Sequence, residues 1–145
     1  MQPSNKYFQD AARREFSFLE KDFSLKNVSS ESESEQFMVR YKSDTVQVIV
    51  EGINWGENAR VAVGSCLGFQ NFDLYDLVKA KTGEHPEIES IVTLNQIAQL
   101  PLLAMLLKEH GEQVLSGDFT IFPAITKIVK ARADSFDDGI KRIVI

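Results

Sequence analysis

The sequence predicts an α+β fold: an N-terminal helix packed on a three-stranded antiparallel meander (four-stranded if the C-terminal tail joins it), followed by three C-terminal helices. Two patterns predict it. Apolar and polar residues alternate with period two from Phe37 to Ser65, and apolar stripes at helical spacing lie on both sides of that run. Strands grouped in one block, rather than interleaved with helices, favour an antiparallel sheet covered on one face.

The first element reads as a helix from about Lys6 to Lys21. Phe8, Ala12, Phe16, Leu19 and Phe23 recur at spacings of three and four and share one face, with Ser4 as the N-cap. Phe18 falls off this stripe and needs a cover of its own. Ser29 to Gln36 is a polar run with three close acids and no apolar member, which predicts a mobile loop. Phe37, Val39 and Tyr41 then alternate with Met38, Arg40 and Lys42, and Ser43-Asp44 supplies a tight turn. Val46, Val48 and Val50 form a second strand, Asn54 to Asn58 a second turn, and Arg60 to Ser65 a third strand with Val61 and Val63 inward.

After Phe69 the period changes. Asn71 or Asp73 caps a helix to about Lys81, with Leu74, Leu77 and Val78 facing in and Gly83 ending it. Glu84 to Glu87 is a linker. A long helix spans about Leu94 to Leu115, its face being Ile97, Leu100, Leu103, Leu106 and Leu107, with Pro101 either kinking it or marking its true first turn. Asp118 caps a last helix to about Ala133, with Phe122, Ile125, Ile128 and Val129 inward. The tail Ile140 to Ile145 reads as a short strand or a frayed end. The whole chain, 1–145, reads as one domain.

Composition bounds the function. At 43% hydrophobic and 26% charged, the chain has the make-up of a globular domain that needs no disulfide or metal staple. A single cysteine, Cys66, suits a reducing compartment. The N-terminus lacks an apolar signal region, and no apolar run approaches the roughly 20 residues of a membrane helix, so the expected setting is the cytoplasm, without membrane contact. The net charge of −5, with no cluster of Lys and Arg, argues against nucleic acid. The imbalance is local: Asp73, Asp76, Glu84, Glu87, Glu89, Glu109, Glu112 and Asp118 face only Lys79, Lys81 and Lys108 in sequence, so residues 73–118 carry the whole −5. Such a stretch is either a solvated face or a surface that steers a basic partner.

Catalytic and metal-binding patterns are thin, and no cofactor is expected. His85 and His110 are 25 residues apart without a ligand-spaced partner. His110 suits a helix C-terminus, and His85 before Pro86 reads as an exposed loop residue. Cys66 has no histidine near it in sequence and reads as a core thiol. Gly64 to Gly68 lacks the Gly-Lys-Ser/Thr ending of a phosphate loop. The acid pairs Glu31 with Glu33 and Asp137 with Asp138 sit in polar runs, where the burial that raises a catalytic pKa is missing. An enzyme would have to assemble scattered residues such as Tyr41, Arg40, His85 and Glu51, which no spacing recommends. The expectation is a protein that is not an enzyme.

Two features suggest recognition. Trp55, the only tryptophan, lies in the second turn between Gly52 and Gly56, and exposed tryptophan is enriched at binding hot spots. The acidic loop Glu31, Glu33, Glu35 would order on contact with a basic surface.

The segments Phe16-Ser-Phe-Leu-Glu-Lys-Asp-Phe-Ser-Leu25, Val39-Arg-Tyr-Lys-Ser43 and Val46-Gln-Val-Ile-Val50 resemble a pattern found in small bacterial α+β proteins, some of them immunity proteins encoded beside toxins. The likeness stops at Phe72, does not include the Ser/Glu loop, and contains no catalytic residue to carry over. It implies an inhibitory binding protein that covers the active site of a basic toxin domain or prevents its assembly. Its anchors would be Trp55 with Glu31, Glu33 and Glu35, or the acidic stretch Asp73, Asp76, Glu84, Glu87 and Glu89. The alternative is a structural or adaptor subunit forming a homodimer through a sheet edge or the last helices.

Overall fold

The computed structural model describes residues 5–28, 37–53, 57–67 and 70–144. It is α+β, built on a five-stranded antiparallel sheet in the order β1-β2-β3-β4-β5. The strands are β1 (Lys26–Asn27), β2 (Met38–Lys42), β3 (Val46–Ile53), β4 (Asn58–Ser65) and β5 (Gln70–Asp73). The central three are those that the alternation predicts, and their register follows from it. Val39 pairs with Val50, Tyr41 with Val48, and Val48 with Val63. These residues lie on the covered face, while Arg40, Gln47, Ile49, Glu51 and Arg60 lie on the other. The Ser43 hydroxyl accepts the Val46 N–H at 3.1 Å, closing the first turn.

The two outer strands correct the expectation of three or four. β1 is a two-residue bridge to Lys42 and Tyr41. β5 pairs Phe72 with Val63 and Asn71 with Gly64. A Cβ at Gly64 would collide with the Gln70 carbonyl, so β5 closes on β4 at a position that only glycine allows.

The helices are α1 (Asn5–Glu15), α2 (Phe18–Phe23), α3 (Leu74–Thr82), α4 (Ile88–Val92), α5 (Gln96–His110), α6 (Glu112–Leu115) and α7 (Phe122–Val144). The single N-terminal helix of the sequence reading is broken at Phe16-Ser17, and Ser4 lies outside the described residues. The break lets α2 turn Phe18 inward, where it meets Phe16 and Phe23 at centroid distances of 6.1 and 6.3 Å and lies under the Lys108 ammonium. Ser24 caps α2 in the left-handed region at φ 58°.

α5 lies over β4 and is flanked by α1 and α3, with α7 packed on α3. α1 covers part of β2 as well as α5, so the expected cover is shared among helices. Asn95 caps α5 by accepting the Ala98 N–H at 2.8 Å, and the helix runs through Pro101, whose ring faces solvent. The long helix predicted to Leu115 stops at His110, since Gly111 sits tight against Leu107 and α6 restarts beyond it. Asp118 caps only the turn before α7, accepting the Thr120 N–H at 3.0 Å. α7 then takes in the tail read as a strand or frayed end: residues 140–144 are helical.

Candidate functional site

The inward face of α5 is not purely apolar. Gln96 and Gln99 are buried there. The Gln99 amide accepts the Ala59 N–H at 2.8 Å and donates toward the carbonyls of Leu94 (2.8 Å) and Glu57 (3.1 Å) and toward Asn58 Oδ1 (3.1 Å). Gln96 Nε2 donates to the Asn58 carbonyl at 2.9 Å. A Cβ on Gly52 would strike the Gln96 amide, so this glycine makes room for the clamp. Both glutamines hold the start of β4 to α5. The sequence signal was there in Gln96 and Gln99, polar residues inside an apolar run.

A second polar centre joins α3 to α7. Asp76 is buried and accepts two parallel hydrogen bonds from Arg132, Nη1 to Oδ1 and Nη2 to Oδ2, each 2.9 Å. His85 Nε2 lies 3.3 Å from Asp76 Oδ1. Burial alone would push the Asp76 carboxyl up. The bonds from Arg132 and His85 outweigh it and hold the carboxyl below the ordinary aspartate value. In return, the Asp76 carboxylate raises the Arg132 guanidinium. Asp73, at the foot of the same helix, caps α3 by accepting the Tyr75 N–H at 2.8 Å. Its burial raises its carboxyl in spite of that bond. Asp73 and Asp76 are therefore engaged inside the fold, not displayed on an open acidic face.

Above the Asp76–Arg132 pair lies an open groove of about 410 Å³, lined by Lys79 and His85 on one side and by Lys127, Ile128, Ala131, Arg132 and Ser135 of α7 on the other. The spacing of the α7 residues places them along one face of the helix. Beside the groove runs the α3–α4 connection with Glu84 and Glu87, followed by Glu89 in the first turn of α4; all three are exposed and form no ion pair among the described residues. This connection is tied down at its start. Gly83 caps α3 at φ 88°, Thr82 Oγ1 accepts the Glu84 N–H at 3.2 Å, and His85 is held by Asp76.

Trp55 and Glu31, Glu33 and Glu35 lie outside the described residues. The scattered set Tyr41, Arg40, His85 and Glu51 is not brought together. Tyr41 is buried in the covered face, where burial, reinforced by Glu20 and opposed by Arg13, pushes its phenol up to about 12. Arg40 and Glu51 lie on the opposite face, Glu51 in an ion pair with Arg60. Cys66 is half-buried rather than a core thiol, its Sγ 3.4 Å from the Asp44 carbonyl. Among the described residues no three His, Cys, Asp or Glu side chains stand close enough to hold a metal, and no helix is long and apolar enough to cross a membrane. No protein-family model, no curated protein and no solved structure matches the chain.

Proposed function

We propose that this chain is a non-catalytic binding protein of the immunity type, which neutralises a basic toxin-like partner by covering it with the acidic α3–α4 connection. One observation carries the reading: Glu84, Glu87 and Glu89 are exposed and form no ion pair among the described residues, on a segment running into α4 that is anchored through Thr82 and His85. Three unneutralised carboxylates on an ordered segment form a complement to a basic surface with little left to order on binding. The charged side chains engaged inside the fold, Asp76 above all, serve architecture.

The test is recovery of partners from native lysate with wild type and with the charge-reversed variant Glu84→Lys/Glu87→Lys/Glu89→Lys. Support requires one basic partner that is released at high salt, is not retained by the variant, and loses a toxic activity when wild type is added back. Recovery of the chain alone, with a mass that rises with concentration, would instead favour a homo-oligomeric structural subunit.

A further inference from the structure

We propose that the groove between α3 and α7 is a binding site for a small phosphomonoester, its phosphoryl group held by Lys79, Lys127 and Arg132 and its organic group laid against Ile128 and Ala131. In a chain of net charge −5, this depression is lined by three fixed cations and by His85, and no carboxylate is among the described residues that line it. Lys79 and Lys127 form no ion pair among the described residues, although acids are plentiful nearby in sequence. Arg132 uses two of its five N–H groups on Asp76, which leaves three for a ligand while the fork itself is held still. Asp76 holds and orients the guanidinium and is not among the residues that line the groove.

The shape selects among anions. Cations come from both helices, so a tetrahedral group with three acceptor oxygens meets them from several directions, while a planar carboxylate presents two oxygens on one edge. The volume lies in the roughly 300–1,000 Å³ range of small-molecule sites. Ile128 and Ala131 supply an apolar wall that inorganic phosphate would leave unused.

The experiment is an amide-resolved NMR titration of the full chain with phenyl phosphate, inorganic phosphate and benzoate at constant ionic strength. The expected result is saturable shifts confined to residues around Lys79, His85 and Lys127 to Ser135. Phenyl phosphate should bind tighter than inorganic phosphate, and benzoate should bind weakest. Lys79→Ala/Lys127→Ala should weaken phenyl phosphate by about tenfold or more, from the loss of two charge-assisted contacts. Ala131→Glu, at an exposed helical position, should abolish binding by adding a carboxylate to the lining. Lys21→Ala/Lys108→Ala makes the same charge change elsewhere and should leave affinity unchanged. Shifts spread over all lysines, equal affinity for benzoate, or equal losses in the two lysine pairs would overturn the proposal. Unchanged thermal unfolding of the groove variants shows that any loss belongs to the site.

Discussion

Two junctions hold outlying parts of this molecule to its core, and they do so with opposite chemistry. At the start of β4, neutral amides of Gln96 and Gln99 bond to backbone and are buried. At α3–α7 the junction is ionic, and only one partner is buried: the Asp76 side chain is 4% exposed and the Arg132 side chain 58%. An amide carries no net charge, so burying it costs hydrogen bonds alone. These are replaced for Gln99 and for Gln96 Nε2, while Gln96 Oε1 is buried without a partner among the described residues. An ion pair taken wholly from water carries a desolvation penalty that often exceeds its attraction, so this one sits at the rim. The neutral junction is closed to solvent and insensitive to pH. The ionic junction leaves its cation open to ligands and salt, and its carboxylate makes it sensitive to pH.

The largest expected effect lies on the neutral side. Gln99→Leu keeps the volume but orphans the buried Ala59 N–H and the carbonyls of Glu57 and Leu94, and should cost about 3 kcal/mol in urea unfolding. A loss below about 1 kcal/mol would mean that water reaches the junction and that the two junctions differ little in their exclusion of solvent.

On the ionic side, Arg132→Ala should cost about 1–3 kcal/mol, because it leaves the buried Asp76 carboxylate with His85 as its remaining side-chain partner. Asp76→Asn should cost less, since the freed guanidinium is already largely in water. Equal losses would show that both partners are equally dependent on the pair. Amide exchange along α7 should quicken in either variant, ahead of exchange in β3.

The pH dependence separates the junctions further. Asp76 is depressed in the fold, so its contribution is fully present above the unfolded carboxyl value of about 3.9 and is lost as pH falls through the lower folded value. The stability gap between wild type and Asp76→Asn should therefore be widest near neutrality and close in acid. Asp73 is raised and has the opposite slope, which is why the gap, and not the wild-type curve, is the quantity to measure. The gap for Gln99→Leu should stay level over the same range. The smallest effect is that of salt: raising it should narrow the Arg132→Ala loss by a few tenths of a kcal/mol, about the scale of a partly exposed pair, and leave the Gln99→Leu loss unchanged.

Much of the fold was legible. The apolar alternation placed β2, β3 and β4, Gly83 marked the end of α3, and of the two caps that the sequence offered for its start, Asn71 and Asp73, the structure takes Asp73. β5 was not legible, since Gln70-Asn-Phe-Asp73 carries little strand propensity and exists by pairing with β4 beside Gly64. The tail was misread because Ile140 and Ile143 to Ile145 give a short apolar pattern that fits strand and helix alike. The α7 helix continues to Val144. Of the proposed anchors, Glu84, Glu87 and Glu89 are exposed, whereas Asp76 is buried and Asp73 is half-buried and engaged as the α3 cap. The groove itself was hidden, because Lys79 and Arg132 are 53 positions apart and nothing local couples them.

By itself, the sequence determined periodicity, caps, charge and therefore the α+β class, since these depend on neighbours a few residues apart. Only the tertiary structure decided which polar residues would be buried. Asp76, Gln96 and Gln99 look like surface groups until a distant partner compensates their desolvation: Arg132 for the first, the start of β4 for the glutamines. The pairing that buries Asp76 also leaves Arg132 beside Lys79 and Lys127, so the open cationic groove arises from the packing of α7 on α3, which no local pattern encodes.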